Sequence, residues 1–285
     1  MRFFSVLIAI TLCIAALSSK AQFAGTSFAE ANQTKKAKLV CTFSETPGYI
    51  SSVDKGAPVG VLPEIMNSYV AYLKKNNGID VKLDYQPFKK DAPIAEIFDK
   101  VGKSGDGVFG LVFVFITEER KKTLNLSAPI FESPSFLLTS STAPDVSSMS
   151  DVKEKFKGYT AYVNQGNFYE DRFKELKART LSDLKIDYFK TYNVLNILET
   201  VAKDQAMLYV DISGFLYASK NRLAFKSHKV LQLSTPMGIV LSKQNAWKDS
   251  FNKFLQDGFV KSNEFKKIVA DNLGYRTFSL LKLQE

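Results

Sequence analysis

The chain has 285 residues, of which 45% are hydrophobic and 24% charged, values typical of a globular protein with one or two domains. This composition excludes disordered, collagen-like and coiled-coil proteins. Lysine and arginine (38) exceed aspartate and glutamate (29), which gives a net charge of +9. The lysine pairs are scattered along the chain, so the charge does not indicate nucleic-acid binding. Two cysteines and one histidine cannot form a four-ligand zinc site or a disulfide framework, and we expect no metal and no cofactor.

The first 21 residues have the pattern of a cleavable secretory signal. Arg2 precedes an uncharged run from Phe3 to Ser19, and small residues occupy positions 19 and 21, which a signal peptidase reads. The alternative is an uncleaved membrane anchor, for which the run is marginal in length. The pattern predicts a soluble protein exported to the periplasm. Residues 22–35 are small and polar, and we expect a flexible leader there.

Strands and helices alternate along the rest of the chain. A strand is predicted from Leu39, and the run from Val108 to Ile116 is almost wholly apolar, which is typical of a strand buried on both faces. The other predicted strands cover 81–85, 136–139, 159–163, 186–189, 207–210 and 239–241, and the predicted helices cover 63–75, 92–101, 168–178, 194–203 and two amphipathic segments after Trp247. This alternation predicts an α/β fold with largely parallel sheets.

Two conspicuous features do not predict a catalytic or nucleotide site. The glycines at 105, 107 and 110 match the dinucleotide-binding fingerprint, which must follow a strand and open a helix. Here the motif follows a predicted helix and opens a strand, so we interpret it as a turn. The one histidine, His228, stands between Lys226 and Lys229, and this setting predicts an exposed loop residue.

Short segments spread along the chain have a characteristic order and spacing. In order they are Tyr49, Asp54-Lys55-Gly56, Gly60, Glu64, Phe88, Ile97, Ile116-Thr117-Glu118-Glu119-Arg120, Leu126-Ser127-Ala128-Pro129-Ile130, Lys157-Gly158, Val163-Asn164-Gln165-Gly166 and Val210-Asp211. From about residue 38 to residue 273, the chain resembles bacterial extracellular solute-binding proteins of family 3, the amino-acid-binding type of periplasmic binding protein.

The resemblance implies a two-lobe periplasmic-binding-protein-like fold of type II. It has two α/β lobes with mostly parallel sheets flanked by helices, and a hinge of two crossover strands. Lobe 1 would comprise 36–132 and 234–285, and lobe 2 would comprise 133–233. Such a protein is a monomer without catalytic activity that closes its cleft on a small solute and delivers it to an ABC permease in the inner membrane.

The resemblance assigns two charged residues to the ligand. Arg120 matches the arginine that holds the ligand carboxylate, because a guanidinium donates two parallel hydrogen bonds that a lysine cannot. The alternative is an exposed arginine beside Lys121 and Lys122. Asp211 matches the acid that binds a ligand ammonium, and the alternative for it is a helix N-cap before Ile212.

Further candidates follow from the matched positions. Tyr49 matches an aromatic residue that stacks over the ligand, and Phe88 matches a neighbour on the same wall, although either is equally compatible with a core position. Thr117 belongs to the motif that contains the arginine. Asn167 and Phe168 stand where the family usually has threonine or serine.

The clearest departure from the family lies just before Thr117. Phe113 and Phe115 replace small hydroxyl residues that bind the amino-acid ligand. Each hydrogen bond lost to a charged ligand group costs about 1.5–3 kcal/mol, whereas a buried aromatic ring contributes about 1.5–3 kcal/mol against an apolar ligand. The sequence therefore favours an amino-acid derivative or an organic acid with an aromatic or apolar body. The alternative is ordinary core packing of both rings, with a degenerate pocket.

Two other functional classes stay open. One is an enzyme on the same scaffold, similar to dehydratases that resemble solute-binding proteins, with Glu45, Glu132 or Asp211 as a general acid or base. The other is an exported sensory or interaction module that no longer binds a ligand.

Overall fold

The computed structural model describes residues 23–53, 56–89, 92–189, 199 and 205–281. The predicted signal peptide, Asp54, Lys55 and nearly all of the predicted helix at 194–203 lie outside these residues.

The strands are β1 (Lys36–Phe43), β2 (Asp80–Pro87), β3 (Val108–Phe115), β4 (Asn125–Leu126), β5 (Phe131–Ser140), β6 (Thr160–Val163), β7 (Lys185–Tyr188), β8 (Ala206–Asp211), β9 (Phe225–Ser227) and β10 (Leu233–Leu241). The helices are α1 (Phe28–Thr34), α2 (Val61–Asn77), α3 (Ile94–Gly102), α4 (Glu118–Thr123), α5 (Met149–Lys155), α6 (Phe168–Arg179), α7 (Ile212–Lys220), α8 (Lys248–Gln256), α9 (Asn263–Leu273) and α10 (Tyr275–Leu280). Within the described ranges, no helix combines the length and the apolar character needed to span a bilayer.

The strands follow the order β2-β1-β3-β10-β5-β8-β6-β7, with β4 added to β10 and β9 added to β5. Lobe 1 contains the parallel strands β1, β2 and β3, and lobe 2 contains the parallel strands β6, β7 and β8. An antiparallel strand completes each lobe, β10 beside β3 and β5 beside β8. Helices alternate with the strands, so the predicted two-lobe α/β fold class is confirmed.

Strands β5 and β10 belong to both lobes. Phe131–Ser135 pairs antiparallel with Leu233–Met237, after which β5 continues beside β8 and β10 continues beside β3. We call this pair of segments the hinge ribbon. It contains Pro134 and Pro236, and the carbonyl of Pro236 accepts a hydrogen bond from the Ile116 N–H at 2.8 Å. The ribbon is the predicted hinge of two crossover strands.

Strand β3 is covered on both faces, as its apolar sequence predicts. Successive side chains of a strand point to opposite faces. Phe109, Leu111 and Phe115 pack in the larger hydrophobic core, whereas Val114 packs in a smaller one on the other face. Phe115 is the last residue of the strand, so its ring lies at the carboxyl end of the lobe 1 sheet.

The glycine motif before β3 is a turn, as predicted, because α3 ends at Gly102 and β3 begins at Val108. Gly107 has a φ of +67°, and a Cβ on this residue would lie 2.7 Å from the carbonyl oxygen of Thr26. Glycine is required at this position because the N-terminal segment approaches its backbone closely. The motif therefore has a structural reason that does not involve a nucleotide phosphate.

The expectation of a flexible leader at 22–35 is wrong for the described residues 23–35. Ser27 caps α1 by accepting a hydrogen bond from the Glu30 N–H at 3.2 Å. Phe28 packs edge-on against Trp247 with ring centroids 4.9 Å apart, and the Trp247 indole donates to the carbonyl of Thr26 at 2.9 Å. A helix cap and an aromatic anchor outweigh the small and polar composition of the segment.

The expectation that His228 is exposed is also wrong. Its side chain is 4% exposed, its Nε2 lies 2.7 Å from Thr139 Oγ1, and its ring packs edge-on against Phe156. The preceding strand β9 pairs with β5, which places His228 over the core of lobe 2. The prediction of exposure used only the charged neighbours of His228 in the sequence. Its burial depends on β5, a partner strand that is distant in sequence.

Candidate functional site

Arg120 is positioned by the junction of β3 and α4. Thr117 is the N-cap of α4, and its hydroxyl accepts a hydrogen bond from the Arg120 N–H at 3.2 Å. The Arg120 Nη1 donates to the carbonyl of Phe115 at 3.4 Å, and the guanidinium lies 5.8 Å from the centre of the Phe98 ring. Thr117 therefore fixes the helical turn that carries Arg120.

The guanidinium of Arg120 faces lobe 2 and has lost much of its water. Burial lowers its pKa, while Asp171, Tyr169 and Glu119 oppose this shift. Asp171 and Tyr169 belong to α6 of lobe 2, so Arg120 lies at the junction of the two lobes. No carboxylate among the described residues forms an ion pair with Arg120 within 4.0 Å.

The first turn of α6 touches lobe 1 through aromatic rings. Asn167 caps this helix, its side-chain oxygen accepting from the Tyr169 N–H at 3.3 Å. The Phe115 ring centroid lies 4.7 Å from that of Phe168 and 5.7 Å from that of Tyr169. We call these three rings the interlobe aromatic contact. It brings the predicted residues Phe115, Asn167 and Phe168 together beside Arg120.

Two tyrosines in lobe 2 that the sequence analysis did not single out support this contact. The Tyr169 ring stacks on Tyr209 with centroids 5.5 Å apart, and its hydroxyl lies 3.1 Å from Ser135 Oγ. The Tyr209 hydroxyl donates to the carbonyl of Leu231 at 2.9 Å. The position of Tyr169 in the first turn of a predicted helix was the available signal, since that turn also carries Phe168.

Tyr49 lies in the turn from Thr46 to Ile50, which is closed by a bond from the Thr46 N–H to the Ile50 carbonyl at 2.9 Å. Its ring is 4.8 Å from that of Phe113, which is in turn 4.8 Å from Phe131. The side chain is only 3% exposed, yet its hydroxyl has no hydrogen-bond partner among the described residues. A buried hydroxyl without a partner is unusual in a folded protein.

Asp211 combines a structural role with proximity to Tyr49. It is the N-cap of α7, with Oδ1 accepting from the Gly214 N–H at 2.9 Å and from the Ser213 hydroxyl at 2.7 Å. Burial raises the pKa of Tyr49, and the negative charge of Asp211 raises it further. The carboxylate of lobe 2 therefore lies within electrostatic range of the unpartnered hydroxyl of lobe 1.

Phe88 packs in a different part of lobe 1. Its ring is edge-on to Phe23 at 6.1 Å, and the Lys100 ammonium lies 5.9 Å above it. It packs against the smaller core, whereas Tyr49 and Phe115 belong to the larger one. The structure thus does not bring Phe88 together with the other candidates, and its place on a ligand wall stays a prediction.

The other carboxylates considered for acid–base chemistry bind neighbouring groups. Glu45 Oε1 accepts from the Ser52 N–H at 3.1 Å, and Glu132 Oε2 accepts from the Ser234 hydroxyl in the hinge ribbon at 2.9 Å. In the described part of the chain, histidines, cysteines and carboxylates form no group of three or more that could hold a metal ion.

Two cavities lie on lobe 1, with volumes of about 220 Å³ and 540 Å³. The first is lined by residues of α3, α4 and β10, and the second by residues of β1, α2 and β2. Neither is lined by Arg120, Tyr49 or Asp211.

No family model matches the sequence, and no curated protein is recognisably similar to it. Solved structures do share its fold. An ancestral arginine-binding protein bound to glutamine is 23% identical, with a TM-score of 0.59 over 83% of this chain and 98% of that one. A putative L-cystine ABC transporter from Listeria monocytogenes is 13% identical, with a TM-score of 0.63 over 84% of this chain and 97% of that one.

An ancestral amino acid-binding protein described as a precursor of cyclohexadienyl dehydratase is 19% identical, with a TM-score of 0.58 over 85% of this chain and 97% of that one. These likenesses show that the chain has the two-lobe fold of amino-acid-binding periplasmic proteins, as the sequence resemblance predicts. At such identities they show the fold alone.

Proposed function

We propose that the chain is an exported solute-binding protein that captures a small carboxylate-bearing solute between its lobes for ABC-type uptake. The observation that carries the proposal is Arg120, a partly buried cation that faces lobe 2 without an ion-pair partner among the described residues. A buried charge without a partner is costly, and the planar guanidinium fits a carboxylate through two parallel bonds. A bound acid would therefore stabilise the closed arrangement.

The opposite end of the junction supports a solute with a second polar group. The Tyr49 hydroxyl is buried without a partner, and Asp211 lies within electrostatic range of it. An amine or hydroxyl of the solute would donate to Asp211 and contact Tyr49. Phe113 contacts Tyr49 and Phe115 contacts Phe168, and these apolar rings favour an amino-acid derivative or an organic acid with an aromatic or apolar body.

The proposed organisation follows the hinge ribbon. We place lobe 1 at 36–132 and 234–285 and lobe 2 at 133–233, so that both boundaries fall in the ribbon. Residues 1–21 would direct export to the periplasm, where the protein would act as a monomer and deliver its solute to an ABC permease of the inner membrane. The solved structures with this fold include amino-acid-binding proteins and a putative ABC transporter component, which supports this role.

An enzyme is the second candidate, because a protein described as a precursor of cyclohexadienyl dehydratase shares the fold. Glu45, Glu132 and Asp211 are the candidate general acids or bases, and Arg120 would hold a substrate carboxylate. Incubation with a chorismate-derived cyclohexadienyl acid, followed by mass spectrometry, tests this alternative. Formation of a product would replace the transport proposal, and an unchanged acid that still binds would support it.

The direct test is ligand-dependent thermal stability. Native mass spectrometry of freshly purified protein would first identify any co-purified acid, and a panel of aromatic and aliphatic carboxylates would supplement it. A ligand at a hundred times its dissociation constant stabilises the folded state by about 2.7 kcal/mol, so a bound acid raises the melting temperature. Arg120→Ala is expected to remove this shift, and Arg120→Lys to reduce it.

Arg179→Ala is the matched control, because Arg179 lies at the exposed end of α6 with 78% of its side chain accessible. It should retain the full shift. A shift that persists unchanged in Arg120→Ala would refute the proposed role of Arg120. The absence of any shift with the identified acid would favour the sensory or interaction module with a degenerate pocket.

A further inference from the structure

Phe115 contacts Arg120 through its backbone and lobe 2 through its side chain. Its carbonyl accepts a hydrogen bond from the guanidinium, and its ring reaches across to Phe168 of lobe 2, with centroids 4.7 Å apart. Only 6% of Phe115 is exposed, so the ring is enclosed between the lobes. The residue whose backbone holds the guanidinium thus places its ring against lobe 2.

The identity of this side chain decides which acids can approach Arg120. A solute that enters beside the guanidinium separates Phe115 from Phe168, and the favourable ring–ring contact is lost. A solute that carries its own ring can replace the contact, whereas a small polar amino acid cannot. Nor does the phenylalanine ring offer a hydrogen bond to a polar group of the solute placed against it.

We propose that Phe115 determines the specificity of the site by occupying the ring-binding space beside Arg120. The inference rests on the proposed function, since it assigns a specificity-determining residue to that same site. The acceptable ligands are aryl carboxylates whose ring can take the place of Phe115 against Phe168. Removal of the Phe115 ring should open this space and make the site receptive to a simple aromatic acid.

The experiment compares benzoate with benzamide, which has the same ring but lacks the carboxylate. Isothermal titration calorimetry would be carried out on the purified full-length mature protein and on Phe115→Ala. We expect Phe115→Ala to bind benzoate roughly tenfold more tightly than the unmodified protein does, and to gain nothing for benzamide. The double variant Phe115→Ala/Arg120→Ala should lose the gain.

Phe136→Ala is the matched control. Phe136 is 7% exposed and stacks on Phe215 with centroids 4.2 Å apart, but both residues lie on lobe 2 elements. It loses a buried ring of the same size away from Arg120, so its benzoate affinity should stay unchanged. Should Phe115→Ala fail to fold, as judged by circular dichroism, Phe115→Leu provides a smaller opening with a smaller gain.

Three results would overturn the inference: no gain of benzoate affinity in Phe115→Ala or Phe115→Leu, an equal gain for benzamide, or a gain that persists without Arg120. Failure of the proposed function looks different. If the unmodified protein binds no acid of the panel while Phe115→Ala binds benzoate through Arg120, the specificity role stands and the transport role fails. If the unmodified protein binds an acid through Arg120 but Phe115→Ala gains no affinity for benzoate, the transport role stands and the specificity role fails.

Discussion

Two buried tyrosines, one in the core of lobe 1 and one at the junction with lobe 2, differ in the hydrogen bonding of their hydroxyls. Tyr69 and Tyr49 are both buried, at 0% and 3% exposure. The hydroxyl of Tyr69, in the core of lobe 1, is hydrogen-bonded to Ser250 Oγ at 2.9 Å. The hydroxyl of Tyr49, at the junction, has no partner among the described residues. The two tyrosines thus differ in hydrogen bonding although both are buried; the hydroxyl of Tyr85 in lobe 1 resembles that of Tyr49 in this respect.

Charged groups show the same contrast. Glu170, in lobe 2, is 7% exposed and accepts bonds from the Gly166 N–H at 2.7 Å and the Tyr188 hydroxyl at 2.9 Å, and it pairs with Lys174 at 2.6 Å. Among the described residues, the guanidinium of Arg120 donates one long hydrogen bond to a carbonyl at 3.4 Å and lies over the Phe98 ring. Buried polar groups are normally paired, so Tyr49 and Arg120 depart from the usual pattern.

The largest expected effect comes from the interior. Trp247 is fully buried, and its indole donates to the carbonyl of Thr26. Trp247→Ala should lower the free energy of unfolding by about 3–5 kcal/mol in urea titrations, because it leaves a cavity and releases the N-terminal segment. Tyr275→Ala is the control, since Tyr275 is 80% exposed and its loss should change stability by less than about 0.5 kcal/mol. A small effect of Trp247→Ala would show that the N-terminal segment is not anchored as described.

A paired substitution tests the comparison directly. Tyr69→Phe removes a satisfied hydroxyl and leaves Ser250 without its partner, so we expect a loss of about 1 kcal/mol. Tyr49→Phe removes a hydroxyl that has no partner among the described residues, and the unliganded protein should keep its stability or gain slightly. Urea unfolding of both variants without added ligand provides the measurement. Equal losses in the free energy of unfolding would show that the two tyrosine hydroxyls do not differ in hydrogen bonding as described.

The smallest effect is a pH dependence within lobe 2. Burial lowers the pKa of His228, Lys226 lowers it further, and Asp145 opposes them. An unfolded histidine takes up a proton as the pH falls through about 6.5, and the folded state does so only at lower pH. The free energy of unfolding should therefore decrease as the pH falls from about 7.5 to about 5.5. His228→Gln should show a flatter profile, and an identical profile would contradict the assignment.

Features that depend on local patterns could be predicted from the sequence. The continuous apolar run of β3 indicated a strand buried on both faces, and the position of the glycine motif between a helix and this strand identified a turn. The strand and the turn were predicted correctly because periodicity and turn chemistry depend on neighbouring residues. The two lobes and the crossover strands were instead implied by the resemblance to family 3 solute-binding proteins.

Features that depend on distant partners could not be predicted in the same way. The burial of His228 requires β9 to pair with β5, and the docking of α1 requires Trp247, more than 200 residues away along the chain. The packing of Phe88 against Phe23 depends on the N-terminal segment as well. The sequence singled out Arg120 and Phe115, but the contact of Phe115 with Phe168 exists only once the lobes face each other.

The two prolines of the hinge ribbon have a mechanical consequence. Pro134 directly precedes Ser135, where β5 begins to pair with β8, and Pro236 accepts the bond from Ile116 where β10 leaves β3. Neither proline can donate a main-chain hydrogen bond in return, so the wider sheet of each lobe does not extend along the ribbon. Two-stranded ribbons tolerate larger twists than broad sheets. The ribbon is therefore the segment in which a change of twist would disturb the fewest sheet hydrogen bonds.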